Sequence, residues 1–136
     1  MPFVLDASVA LAWLLPDEVS DAVDALANRI AEDAAVVPAI WTLEIGNALL
    51  TAERRGRISR KERDRCLQLL TAIQVAVDAP FPLAKLADLV KLASDHDLTT
   101  YDASYLLLAR ERGLALATVD QHMRKASAKL RIRVLP

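Results

Sequence analysis

Cysteine is all but missing: Cys66 is the only one in 136 residues. That excludes an internal disulfide and any zinc site built on cysteines. Aromatic residues amount to 4%, too few for a large platform on which nucleic-acid bases would stack. With 3 glycines and 6 prolines against an apolar fraction of 54%, the composition is that of a helix-rich globular chain rather than a disordered one. No apolar run free of charge reaches the ~18 residues that a membrane span needs, so no membrane partner is expected. The apolar N-terminus carries Asp6 and lacks a basic region and a cleavage site, so no signal peptide is expected and a cytoplasmic location fits best. Neither a glycine-rich phosphate loop nor a dinucleotide fingerprint is present.

The net charge of −1 decides nothing about a nucleic-acid partner, but its distribution is uneven. Arg54, Arg55, Arg57, Arg60, Lys61, Arg63 and Arg65 crowd one stretch, and after Asp120 come Arg124, Lys125, Lys129, Arg131 and Arg133 with no acid among them. Either cluster reads as a solvated surface or as a set of phosphate contacts, with Arg54, Arg55, Arg57, Arg124 and Lys125 the candidates for RNA.

Two short apolar runs end in the same way. Phe3-Val4-Leu5 stops at Asp6, and Leu114 to Val119 stops at Asp120; a helix pattern follows each without room for a loop. A buried strand that hands a carboxylate straight to a helix places it at the carboxyl edge of a sheet, where ligands of such folds bind. The alternative for each is a plain N-cap. Further short strands are expected over 34–37, 75–77 and 130–134, the last from Leu130, Ile132 and Val134 alternating with arginines. Helices are expected over 17–32 (Val19, Val23, Leu26, Ile30), 40–55, and from Ser59 with Cys66, Leu69, Leu70 and Ile73 inward. Two more follow, one on Leu83, Leu86, Val90 and Ala93, the other from Thr99 or Thr100 to Arg112. Strands alternating with helices predict a single three-layer α/β/α domain over 1–136 with a mostly parallel central sheet.

Two more carboxylates stand out. Glu44, Asn47, Thr51 and Arg54 form one polar stripe on an otherwise apolar helix; the stripe either faces solvent or serves a site. Asp102 opens the helix after Thr99 with Tyr105, Leu106 and Ala109 along its face. It reads as a first-turn acid favouring the helix dipole, or as part of a site. Four such carboxylates in one pocket would repel one another, and a divalent cation resolves the repulsion. All-oxygen ligands without His or Cys suit Mg²⁺ or Mn²⁺, and the chemistry is phosphodiester hydrolysis by an activated water. Asp95, His96 and Asp97 match no such pattern, Cys66, Trp13 and Trp41 read as core, and Ser8 stands where an aspartyl phosphatase would carry a second acid.

The stretches Val4-Leu5-Asp6-Ala7-Ser8, Glu44-Ile45-Gly46-Asn47-Ala48-Leu49, Leu98-Thr99-Thr100-Tyr101-Asp102-Ala103 and Leu116-Ala117-Thr118-Val119-Asp120 together resemble PIN-domain nucleases, most of all the VapC toxins of VapBC toxin–antitoxin pairs. The resemblance runs through the chain in order. It implies Asp6, Glu44, Asp102 and Asp120 as catalytic and metal-binding acids, with Ser8, Asn47 and Thr118 as polar neighbours. It further implies a Mg²⁺- or Mn²⁺-dependent endoribonuclease acting on tRNA or rRNA, a homodimer, and a VapB-type antitoxin as partner. Met123, preceded by His122, stands where the family usually has Leu; the apolar contact survives. Two other functions fit the same residues: a housekeeping RNA-processing or DNA nuclease of this fold, and a non-catalytic module that docks a basic peptide in the acidic pocket.

Overall fold

The computed structural model describes residues 1–15, 17–18 and 20–136. In chain order the elements are β1 (Phe3–Leu5), α1 (Ala7–Leu14), α2 (Asp21–Glu32), β2 (Ala35–Val37), α3 (Trp41–Arg54) and α4 (Arg60–Thr71). There follow β3 (Val75–Val77), a 3-10 turn at Leu83–Lys85, α5 (Leu86–Asp95), α6 (Thr100–Arg112), β4 (Ala115–Ala117), α7 (Gln121–Lys129) and β5 (Val134–Leu135). The strands form one sheet in the order β3-β2-β1-β4-β5, and every pairing among the described residues is parallel.

Strand order dictates where a site can lie. From β1 the chain winds outward to β2 and β3, then returns past β1 to β4 and β5. Right-handed crossovers put α1 to α4 on one face and α5 to α7 on the other. The helix contacts agree: α1 packs on α2 and α3, α3 on α4, α5 on α6, and α6 on α7 and on strands β1 and β4. The winding therefore reverses between β1 and β4, whose register aligns Leu5 with Ala117. The crevice outside their carboxyl ends is the switch point of an open parallel sheet.

The strands β1, β2 and β4 are buried throughout, and α6 buries every residue from Ala103 to Ala109. That is why α6 reads as apolar all round rather than amphipathic. Helix starts follow local chemistry. Ser59 and Glu62 close a reciprocal capping box on α4, Thr99 caps α6, and Gly113 ends α6 in the left-handed conformation (φ +64°) that a side chain would oppose.

Several expectations need correction. Helix α2 begins at Asp21, because the Ser20 hydroxyl accepts the Val23 N–H and caps it there; Val19 lies outside the described residues. Leu83 belongs to the 3-10 turn, and Leu83, Leu86 and Val90 face solvent while Leu92 and Ala93 are buried. The apolar stripe is there, but α5 turns its Leu92 side to α6. On α4 only Cys66 is fully buried and Leu69 is exposed, as two-sided packing is missing beside the edge strand β3. Leu43 and Leu50 of α3 are likewise exposed. The last strand is only Val134–Leu135, since Arg131 takes a left-handed backbone (φ +58°) that breaks an extended run at 130–132.

Candidate active site

Asp6 is the residue at which β1 ends. Its N–H donates to the Ala117 carbonyl at 2.9 Å, carrying the β1–β4 ladder one step past the strand. Its carboxylate makes no capping bond to α1; instead it is buried, and Oδ2 accepts from Ser8 Oγ and from Thr118 Oγ1, both at 2.7 Å. Thr118 has no exposed surface, and its hydroxyl also accepts the Asp120 N–H at 3.1 Å. The Ser8 hydroxyl accepts the Val119 N–H at 3.3 Å. Two hydroxyls therefore fasten the tip of β1 to the tip of β4 and hold Asp6 from one side. The Ser8 backbone N–H adds a further, smaller influence favouring the ionised carboxylate.

Asp120 does cap: its Oδ1 accepts the Met123 N–H at 3.0 Å. The capping role and a place in the site are compatible, because a carboxylate has a second oxygen. Met123 is core, as the apolar replacement requires. Arg124 donates to the Thr118 carbonyl at 3.0 Å and to the Pro136 carbonyl at 3.2 Å, so its guanidinium binds the end of β4 to the chain beyond β5.

Glu44 comes from the first turn of α3 and Asp102 from the first turn of α6. Tyr105, one turn after Asp102, is fully buried, and its hydroxyl donates to Glu44 Oε1 at 2.7 Å. The Thr99 hydroxyl accepts the Asp102 N–H at 3.1 Å, which fixes the start of α6, and a Thr99 hydrogen bond also favours the ionised Asp102 carboxyl against its burial. His122 is exposed, but close enough to Asp102 for its positive form to favour the carboxylate.

The electrostatics show that these acids share one space. Burial raises the pKa of Asp6, the Thr118 and Ser8 hydrogen bonds oppose it, and the charge of Asp120 adds to the rise. Burial also raises Glu44, against the Tyr105 hydrogen bond and together with the charges of Asp6 and Asp102. Asp102 is raised by burial and then by Asp6 and Asp120. Burial, then Glu44, hold the Tyr105 phenol far above its ordinary value, so it stays a donor. Among the described residues no three acidic, His or Cys side chains stand close enough to enclose one ion. An open ring of mutually repelling carboxylates fits a cation that keeps several of its own waters, as Mg²⁺ does; it would not suit a closed tetrahedral site.

The sequence-derived candidates thus converge for Asp6, Ser8, Thr118, Glu44, Asp102 and Asp120. Asn47 lies exposed one turn along α3 from Glu44 and makes no side-chain hydrogen bond among the described residues. Of the basic candidates, Arg54, Arg55 and Lys125 are exposed and form no ion pair among the described residues. Arg57 is spoken for: it bonds both oxygens of Asp17 at 2.9 Å. Tyr105 is a site residue that the sequence reading does not single out. Its signal is there, since a tyrosine within the largely apolar run Ala103 to Ala109 needs a partner for its hydroxyl.

Residues 3–129 match the PIN domain family. The chain belongs to the PIN-domain family. Among curated proteins it is 30% identical, over 90% of its own length and 92% of the relative's, to ribonuclease VapC3 of Pyrobaculum aerophilum. It is 36% identical to exonuclease VapC9 of the same organism over 59% of its length and 57% of the relative's. In three dimensions this PIN domain resembles the crystal structure of PAE2754 from Pyrobaculum aerophilum, with TM-score 0.70 and 25% identity over 93% of this chain and 84% of the other. It also resembles FitAcB from Neisseria gonorrhoeae, with TM-score 0.68 and 19% identity over 100% and 97%; that likeness speaks for the fold alone.

Proposed function

We propose that this PIN domain is a Mg²⁺- or Mn²⁺-dependent endoribonuclease that acts in the cytoplasm as the toxin of a type II toxin–antitoxin pair. Its nuclease character rests on family membership and on curated relatives named as a ribonuclease and an exonuclease. The observation that carries the finer reading is the convergence of Asp6, Glu44, Asp102 and Asp120 at the β1–β4 switch point, each of the first three raised by burial and by a neighbouring acid. These four residues would hold one or two cations. When bound, such a cation offsets charge building on the phosphate and lowers the pKa of an attacking water.

The protein's own groups do the positioning. Ser8 and Thr118 fix Asp6, Tyr105 fixes Glu44, and Thr99 fixes the turn that bears Asp102. Arg54, Arg55 and Lys125 guide the RNA backbone toward the acids. The single domain over 1–136 works as a homodimer, and a VapB-type antitoxin restrains it by occupying the site. An exonuclease mode has one observation in its favour, the activity for which the second relative is named, over a shorter match.

Expression in a bacterial host tests the toxin role. The wild-type chain is expected to arrest growth, Asp6→Asn is not, and the product of a small gene directly upstream should relieve the arrest. Unimpaired growth with wild-type protein present at high level, or arrest by Asp6→Asn as well, overturns it.

A further inference from the structure

Beside the acids lies a groove that hydrolysis itself does not require. Ile40, Leu43, Glu44 and Asn47 follow one another at helical spacing along a single face at the start of α3, and with Tyr101 from α6 they line a hollow of about 390 Å³. That volume is within the range that holds small ligands, roughly 300–1,000 Å³. Tyr101 is 58% exposed and Leu43 69% exposed, both large apolar surfaces that the fold does not use. Each directly precedes a carboxylate: Leu43 before Glu44, Tyr101 before Asp102. Successive helical side chains diverge by roughly 100°, so the helix turns that aim the acids into the crevice also set these two at its rim. Past Leu43 the groove continues into a second apolar hollow that includes Phe81.

We propose that this groove is a nucleobase subsite for the nucleotide next to the scissile phosphate of single-stranded RNA. Tyr101 supplies the stacking face, Leu43 and Ile40 the apolar floor, and the Asn47 amide a donor and an acceptor for a base edge. Three observations favour a base over another occupant. The groove shares Glu44 with the acidic site, so whatever fills it adjoins the reacting phosphate. It offers one aromatic and one aliphatic surface, which suit the flat faces of a heterocycle. Beside the shared Glu44 carboxylate it offers the neutral Asn47 amide, which reads base edges and does not compete for phosphate. Overall scarcity of aromatics excludes a large platform but not a single stacking position. The proposal rests on the nuclease reading and adds a determinant of substrate choice to it.

The test uses a fluorescein-labelled single-stranded RNA of mixed sequence, and the same strand with abasic positions, titrated with Mn²⁺ into the full chain carrying Asp6→Asn. Anisotropy is read for Tyr101, Tyr101→Phe and Tyr101→Ala, with circular dichroism and solution mass alongside. Tyr101→Ala is expected to bind the intact strand roughly 5- to 100-fold more weakly, the range for one stacked base. Tyr101→Phe should stay within about 2-fold, since a phenyl ring has the same face. The abasic strand should bind all three forms alike. Equal binding of the intact strand by Tyr101 and Tyr101→Ala overturns the subsite. So does a loss that coincides with a drop in mass, which would assign Tyr101 to contact between copies of the chain. Cleavage of RNA by the chain with native Asp6, combined with indifference to Tyr101, removes the subsite alone. Absence of both binding and cleavage removes the nuclease reading with it.

Discussion

The Tyr105 hydroxyl donates to Glu44 Oε1 at 2.7 Å from a position with no solvent exposure. One oxygen of Glu44 is thereby anchored, and the carboxylate is held on the Asp6 side of α3. Hydrogen bonds to charged groups contribute about 1.5–3 kcal/mol. Tyr105→Phe keeps the ring in the core, so the fold should survive with a loss of about that size in chemical denaturation. Mn²⁺ affinity by calorimetry should fall several-fold, because Glu44 then samples rotamers. Unchanged affinity would show that Glu44 needs no anchor or binds no metal.

Thr118 links both strand tips, donating to Asp6 and accepting from Asp120. Thr118→Val keeps the shape and removes both bonds. It should destabilise the chain by about 1–3 kcal/mol and lift Asp6 further, since the hydrogen bond is the main influence opposing its burial. The acid limb of the pH–rate profile should move to higher pH. A profile that stays put would mean that ionisation of Asp6 does not limit turnover.

The acidic site's contribution to metal-free stability should fall as pH rises through the carboxylate range. Asp6, Glu44 and Asp102 have folded pKa values above their ordinary 3.8, 4.5 and 3.8, so the folded state binds more protons than the unfolded one there. Their contribution is fully present below the ordinary values and is lost as pH rises through the raised ones. Asp33 and Asp95, lowered first by hydrogen bonds to the N-terminal amine and to Lys91, act in the opposite sense. Subtracting the Asp6→Asn melting curve in EDTA isolates the site: the variant should lose less on going to neutral pH. Added Mg²⁺ should restore wild type and leave the variant nearly unmoved. A wild type that gains stability on that path relative to Asp6→Asn contradicts the crowded-acid picture.

The basic candidates divide by what they touch. Arg54→Ala, Arg55→Ala and Lys125→Ala should each weaken RNA binding and reduce the salt slope by about 0.7–0.9 for every phosphate no longer neutralised, at little cost to folding. Arg124→Ala should instead cost about 1–3 kcal/mol of stability, because its guanidinium holds two backbone carbonyls. Equal salt slopes across the wild type and the first three variants would remove those residues from the RNA path.

How far the chain can be read from its sequence depends on whether neighbours or local chemistry decide. Strand β1, strand β4 and the caps at Ser59 and Thr99 are legible because each is written in adjacent residues. The convergence of Asp6 and Asp120 follows once strands alternating with helices fix a parallel sheet. The solvent-facing Leu83, Leu86 and Val90 are not legible, since periodicity marks a stripe without saying which side another helix covers. Tyr105 escapes for a related reason: its partner lies 61 residues away, on an element whose approach no local pattern encodes. Arg124 reads as a free charge for the same reason, its carbonyl partners being set by the return of β5.

That Asp6, Glu44, Asp102 and Asp120 form a metal-dependent nuclease site is tested most directly by cleavage. The purified chain is incubated with mixed tRNA and rRNA in Mg²⁺, Mn²⁺ or EDTA, beside Asp6→Asn and Asp102→Asn proteins shown to be folded. Discrete fragments are expected with either metal, none in EDTA, and none from either variant. Fragments of the same pattern from both folded variants, or in EDTA, would contradict the assignment.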